Sequence, residues 1–195
     1  MGSAGKAPPG LRERRKLSVQ QDIALTAMDL FERQGFVHTT VEQIAETAGI
    51  SLRTFYRHCP VKEEALTPLL VEGVNELVAE LARRPAAEPL PEAARTALLQ
   101  ACRMSGAETR RTARVMLDEP SLKARWLAAG RRAQDLLTPV VAARMGPGAS
   151  ELAAAAKAGL LISVATTALE YWARTEGAGT LDAVAAEAFA AAENF

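Results

Sequence analysis

Thr40-Val41-Glu42-Gln43-Ile44-Ala45-Glu46-Thr47-Ala48-Gly49-Ile50-Ser51-Leu52-Arg53-Thr54-Phe55-Tyr56-Arg57-His58-Cys59 is the stretch whose reading decides the fold. Thr40 and Gln43 have the spacing of a capping box, in which each side chain satisfies a backbone amide that the helix leaves unpaired. Val41, Ile44, Ala45 and Ala48 follow at helical spacing and give one apolar face. Gly49 ends that helix, and Ile50 plugs the turn into the core. Ser51 caps a short second helix that runs to about His58 and stops at Pro60. A capped helix, an Ala-Gly-Ile turn and a second capped helix are what a helix-turn-helix requires. Phe55 is the apolar anchor behind the second helix, leaving its polar side free for the major groove. The same helical pair with an Ala-Gly turn also occurs in proteins that never touch DNA, so the flanking sequence has to decide.

Upstream, Ile23, Ala27, Leu30, Phe31 and Gln34 fall at helical spacing after a possible cap at Ser18, and Gly35 closes the helix. Residues 1–17 hold Pro8, Pro9, Gly10 and the run Arg12-Glu13-Arg14-Arg15-Lys16 without apolar periodicity, and read as a flexible basic arm. Downstream, Leu66, Leu69, Leu70, Val74, Leu77, Val78 and Leu81 mark a long helix from about Lys62 to Arg84. Pro85 to Pro91 reads as a connector. Further helices are expected over Glu92–Ser105, Glu108–Glu119 and Leu122–Met145, then after the Gly146-Pro147-Gly148 break over Ser150–Arg174 and, capped by Thr180, through Ala192. No segment reads as a strand. Alanine and leucine are abundant and aromatics make up 5%, which favours an all-α protein.

The net charge is zero, but it is unevenly spread. Residues 1–62 hold nine Lys/Arg against six Asp/Glu, a surplus of three, and the rest holds 14 against 17, the matching deficit. A basic end on an acidic body suits phosphate binding at one end only. Cys59 and Cys102 form neither a metal-ligand spacing nor a disulfide framework, and His38 and His58 stand 20 residues apart, so no metal is expected. No secretory signal is read and a cytoplasmic location is expected. Ala153–Leu169, the most apolar run, carries Lys157, Ser163, Thr166 and Thr167 and reads as a buried soluble helix, with no membrane partner.

Within the helix-turn-helix, Leu52, Arg53 and Thr54 stand where base edges are reached. Arg53 has the two donors a guanine accepts, and Leu52 or the Thr54 methyl can meet a thymine methyl. Tyr56, Arg57, His58 and Lys62 are placed for phosphates. Thr40 and Ser51, which begin the two helices, complete the candidate DNA-binding set.

Residues from about Asp22 to Leu70 resemble the N-terminal signature of the TetR family of bacterial transcriptional regulators. The resemblance is carried by Ala27-Met-Asp-Leu-Phe31, Gln34-Gly-Phe36, Thr39-Thr-Val-Glu-Gln-Ile-Ala45, Ala48-Gly-Ile-Ser51, Thr54-Phe-Tyr-Arg-His58 and Lys62-Glu-Glu-Ala-Leu66. Two positions depart from the pattern: Cys59 stands where an aromatic is usual, and Val61 where a Ser or another capping residue is common.

The resemblance implies an N-terminal three-helix DNA-binding domain over residues 18–62 and a C-terminal helical bundle over residues 63–195 for ligand binding and dimerisation. It implies a dimeric repressor of a palindromic double-stranded operator, released by a small-molecule inducer and needing no cofactor. Candidate dimer residues are Leu161, Val164, Ala165, Ala168, Trp172, Leu181, Val184, Ala188 and Phe189, with ordinary packing within the chain as the alternative. Candidate pocket residues are Met104, Arg114, Met116, Trp126, Thr166 and Tyr171. Few aromatics lie beyond residue 62, which points to an aliphatic or acyl ligand with one polar group. An enzyme reading finds no nucleophile elbow, phosphate loop, dinucleotide fingerprint or metal cluster. A helical adaptor that makes only protein contacts is the other alternative.

Overall fold

The computed structural model describes residues 10–103 and 105–193. Among them every regular element is helical: α1 Leu11–Gln34, α2 Val41–Thr47, α3 Leu52–His58, a 3-10 turn Lys62–Glu64, α4 Thr67–Arg83, α5 Leu90–Arg103, α6 Ala107–Asp118, α7 Pro120–Met145, α8 Glu151–Arg174 and α9 Leu181–Glu193. The chain divides into two compact units, residues 1–68 and 69–195.

The first unit is built on α1. Its stripe Ile23, Ala24, Ala27, Met28 and Phe31 is buried, and Ile44 and Ala45 of α2 and Phe55 of α3 close over it. Phe31 meets the Phe36 ring edge-on, with centroids 5.0 Å apart. Between α2 and α3 the chain reverses at Gly49, whose φ of +66° is a left-handed conformation that a Cβ disfavours. The Gly49 amide donates to the Glu46 carbonyl at 3.0 Å and the Ile50 amide to Ala45 at 2.9 Å, so the turn satisfies its own backbone. Both helix starts carry the expected caps. Thr40 and Gln43 form the reciprocal capping box, and Ser51 Oγ accepts from the Thr54 amide.

Four helix starts differ from the sequence expectation by two residues or more, and each difference has a physical cause. The helix expected from Lys62 is a 3-10 turn followed by α4 from Thr67. Pro68 would disrupt a helix begun at Lys62, because its ring would meet the Glu64 carbonyl; in the first turn it costs nothing. Pro91 likewise stands in the first turn of α5, and Pro120 is the first residue of α7, where the Glu119 carboxylate accepts from the Ser121 amide at 3.2 Å. The fourth difference is α1, which begins at Leu11 rather than near Ser18. No glycine or proline lies between Gly10 and Gln34, and Leu, Arg and Lys are good helix formers, so nothing stops the helix earlier. Of the expected flexible arm, residues 1–9 lie outside the described residues, and Leu11 to Leu17 are helical.

In the second unit α8 is central: α7, α9 and α6 pack on it, and α9 also packs on α5. The core joins Leu77 and Leu81 of α4, Leu98 of α5, Leu137 and Val141 of α7, Leu161 and Trp172 of α8 and Phe189 of α9. Alanines at these crossings (Ala133, Ala154, Ala158, Ala168, Ala185) are buried and keep the helices close. Gly159 marks the tightest approach: a Cβ there would stand 2.9 Å from Gln134 Nε2, which spans from α7 to the Ala155 carbonyl of α8 at 2.8 Å. The buried Trp172 indole donates to the Gly179 carbonyl at 3.0 Å and ties the α8–α9 turn to the core.

Candidate nucleic-acid interface

Seven residues form α3, about two turns, and an α-helix about 10–12 Å across fits a major groove about 12 Å wide. Phe55 is fully buried and fixes the helix to α1 and α2. The residues on the opposite side are presented to solvent: Leu52 is 40% and Tyr56 51% exposed, and Arg53 and Arg57 are exposed as well. Thr40 and Ser51 are exposed at the two helix starts. These six candidates are all accessible on the first unit.

Three other candidates have their polar groups engaged within the unit. The Thr54 hydroxyl shares a 3.0 Å hydrogen bond with Ser51 Oγ, so this side chain belongs to the cap. Lys62, expected at a phosphate, turns inward. Its Nζ donates to the carbonyls of Phe36 at 2.7 Å and Thr39 at 2.8 Å, and it lies 4.0 Å from the Phe36 ring centroid. A cation satisfied by two carbonyls and an aromatic face holds the loop between α1 and α2. The half-buried His58 accepts a long contact from Arg57 Nε at 3.4 Å on Nε2, and its Nδ1 is buried without a partner. Burial, then the charges of Arg57 and Lys16, hold its pKa below the ordinary 6.5, so at neutral pH it is an uncharged neighbour that orients Arg57.

Sequence reasoning missed two parts of this region. Gln34 links α1 to α2: its amide donates to the Thr39 hydroxyl at 3.2 Å and to Gln43 Oε1 at 3.0 Å, so it supports the capping box. The buried Thr39 hydroxyl in turn donates to the Gly35 carbonyl at 2.8 Å. Gln20 of α1 donates to the His58 carbonyl at 3.2 Å and ties the C-terminal end of α3 to α1. Neither link has a signal in spacing, because both join residues of separate helices. At the two positions that depart from the family pattern, Cys59 is buried, with Sγ donating to the Val61 carbonyl at 3.1 Å, and Val61 starts the 3-10 turn without a side-chain cap.

In the second unit the candidate pocket residues have different surroundings. Met104 lies outside the described residues. Arg114 Nε is bound to the Ala173 carbonyl at 2.7 Å, Met116 and Trp126 are buried, the Thr166 hydroxyl bonds back to its own helix at Ile162, and Tyr171 is 56% exposed. A groove of about 360 Å³ lies among α5, α7, α8 and α9. It is lined by apolar side chains such as Leu90, Leu161, Val164 and Phe189, with Lys157 and Glu193 as its charged members. None of the six candidates lines it.

The candidate dimer residues Leu161, Val164, Ala168, Trp172, Leu181, Val184 and Phe189 are each under 10% exposed and belong to the unit's own core, with Ala165 and Ala188 partly buried against it. The surface that α8 presents is a different stripe: Leu152, Ala156, Leu160, Ser163, Thr167 and Tyr171. Alternation explains the shift, since an alanine-rich helix has apolar residues on both faces and spacing does not say which is inward. α8 is also long and apolar enough, by length and composition, to cross a membrane, and only a third of its most apolar window is buried in its unit.

Cys59 and Cys102 are free thiols whose pKa burial pushes up to about 12, so neither is a reactive thiolate. Among the described residues no group of three or more His, Cys, Asp and Glu side chains could hold a metal.

Residues 23–66 match the sequence profile described as bacterial regulatory proteins of the tetR family, and residues 88–194 match that of the MftR C-terminal domain. The chain is 38% identical over 149 residues to the HTH-type transcriptional regulator TcmR of Streptomyces glaucescens, covering 71% of this chain and 65% of that protein, just under two thirds of its length. It is 28% identical over 176 residues to the transcriptional regulator MftR of Mycobacterium tuberculosis, covering 89% of each. Its fold is similar to that of NalD, the secondary repressor of the MexAB-OprM multidrug efflux pump in Pseudomonas aeruginosa, with a TM-score of 0.61 at 17% identity over 92% of this chain and 96% of that one.

Proposed function

The chain belongs to the TetR family of bacterial regulatory proteins, transcriptional regulators rather than enzymes, and from that premise we propose that it is a dimeric repressor that binds a palindromic operator in the cytoplasm and leaves it when a small molecule binds. DNA binding is assigned to residues 18–62, and ligand binding and dimerisation to residues 63–195. One observation carries the DNA assignment: Phe55 is fully buried behind α3 while Leu52, Arg53, Tyr56 and Arg57 are exposed on its other side. Arg53 reads bases, and Tyr56 and Arg57 position the helix on phosphates. Repression is supported by the likeness in fold to NalD, a repressor. Dimerisation is supported by the exposed apolar stripe of α8, since a soluble regulator rarely leaves such a surface uncovered. Two copies then hold two α3 helices about 34–36 Å apart, or a multiple of that spacing.

The groove among α5, α7, α8 and α9 supports the effector. Its apolar lining, with Lys157 and Glu193 as its charged members, suits an aliphatic molecule with one polar group. An effector releases DNA only by binding more tightly to a conformation that does not fit the operator. The test is a mobility shift on the DNA flanking the chain's own gene. A sequence-selective, salt-sensitive shift is expected. Arg53→Ala is expected to cost about 1–3 kcal/mol at one operator position and to relax base preference there. Equal weakening on every sequence assigns Arg53 to a phosphate instead, and no selective shift at all removes the repressor reading.

A further inference from the structure

The helical extension of α1 brings a row of cations to the end of α3. Arg12, Arg14, Arg15 and Lys16 are exposed, and among the described side chains none makes a hydrogen bond or ion pair with any of the four. Glu13 is the one acid in the run. Their placement works against the helix that carries them. Cations in the first turns oppose the positive end of the macrodipole, and Gly10 supplies no side-chain cap. A bound polyanion relieves both penalties.

The row has a fixed position relative to α3. Gln20 donates to the His58 carbonyl at 3.2 Å, and Lys16 stands one turn earlier on the same stripe of α1. Arg12 stands a further turn along, about 12 Å from Gln20 along the helix axis. Arg12 and Lys16 thus continue the stripe of Gln20 along α1, away from the point where Gln20 meets the end of α3.

We propose that Arg12 and Lys16 bind the phosphates of double-stranded DNA beyond the site read by α3, so that the first turns of α1 are a second DNA-contacting element. The inference rests on the DNA-binding reading above and adds residues that the helix-turn-helix pattern does not contain. These contacts carry no base information; they add affinity and salt dependence.

The experiment is fluorescence anisotropy of the full chain with a labelled 30-base-pair duplex of arbitrary sequence, titrated at several NaCl concentrations. Each phosphate neutralised contributes about 0.9 to the slope of log K against log salt. Arg12→Gln with Lys16→Gln is expected to lower that slope by about 1.8 per bound protomer. The charge-keeping pair Arg12→Lys with Lys16→Arg is expected to hold the wild-type slope, which separates lost charge from a disturbed helix. An unchanged slope in the Gln pair overturns the proposal. So does an equal fall with Arg95→Gln and Arg132→Gln, exposed positions of the second unit, because the effect is then one of overall charge. If the wild type itself shows no salt-dependent binding, the DNA-binding reading fails rather than this one.

Discussion

Lys62 shows how far a residue's position in a motif and its physical role can part. As a lysine just after a recognition helix it reads as a phosphate ligand, yet two backbone carbonyls and the Phe36 ring take its charge inside the unit. Lys62→Met is therefore expected to destabilise the chain by about 1.5–3 kcal/mol, the range for hydrogen bonds to a charged group, in urea denaturation followed by circular dichroism. The salt slope of DNA binding is expected to stay at the wild-type value; a fall of about 0.9 would restore the phosphate role. The caps stand differently, because their partners are three residues away in sequence. Thr40→Ala and Ser51→Ala each remove an observed acceptor at a helix start and are expected to cost about 1 kcal/mol in the same measurement. Local chemistry made Thr40, Gln43, Ser51 and Phe55 legible from sequence. Gln20, Gln34 and the inward turn of Lys62 were not, because their partners come from other elements.

Among the elements, the segment from Pro85 to Pro91 changed most in meaning. It reads as a loose connector, but Arg144 of α7 donates to the carbonyls of Arg84, Pro85 and Glu88 at 2.9–3.0 Å. The Arg84 guanidinium also grips the Glu88 carboxylate with two bonds of 2.7 and 2.6 Å. The Arg84 hydrogen bonds hold the Glu88 pKa below its ordinary 4.5. A carboxylate depressed on folding stabilises the folded state above its ordinary value, and that contribution disappears as pH falls through the lowered one. The melting temperatures of wild type and Glu88→Gln are accordingly expected to differ near pH 6 and to draw together as the pH falls below the ordinary 4.5 and through the lowered value. A difference that persists unchanged at pH 3 would mean that the pair contributes by packing rather than charge. The helix starts at Thr67, Leu90 and Pro120 were legible in principle, since Pro68, Pro91 and Pro120 each mark a first turn.

At the scale of the whole molecule, neighbouring leucines of α8 have opposite fates. Leu161 is 4% exposed in the core, and Leu160 is 53% exposed. Leu161→Ala is expected to cost about 2–5 kcal/mol of stability. Leu160→Glu is expected to leave the folded chain intact and to shift sedimentation velocity profiles from dimer to monomer. If Leu160→Glu sediments as the wild type does, the copies meet elsewhere.

By itself the sequence determined that the chain is all helical, where α2 and α3 begin, and which side of α3 meets solvent. Those features depend on caps, turns and periodicity within a few residues. The tertiary structure decided which apolar face of α8 is core, what Lys62 binds, how the connector is held and where a groove opens. Each of these is a choice among partners distant in the chain, and an alanine-rich helix with apolar residues on two faces carries no local signal that makes the choice.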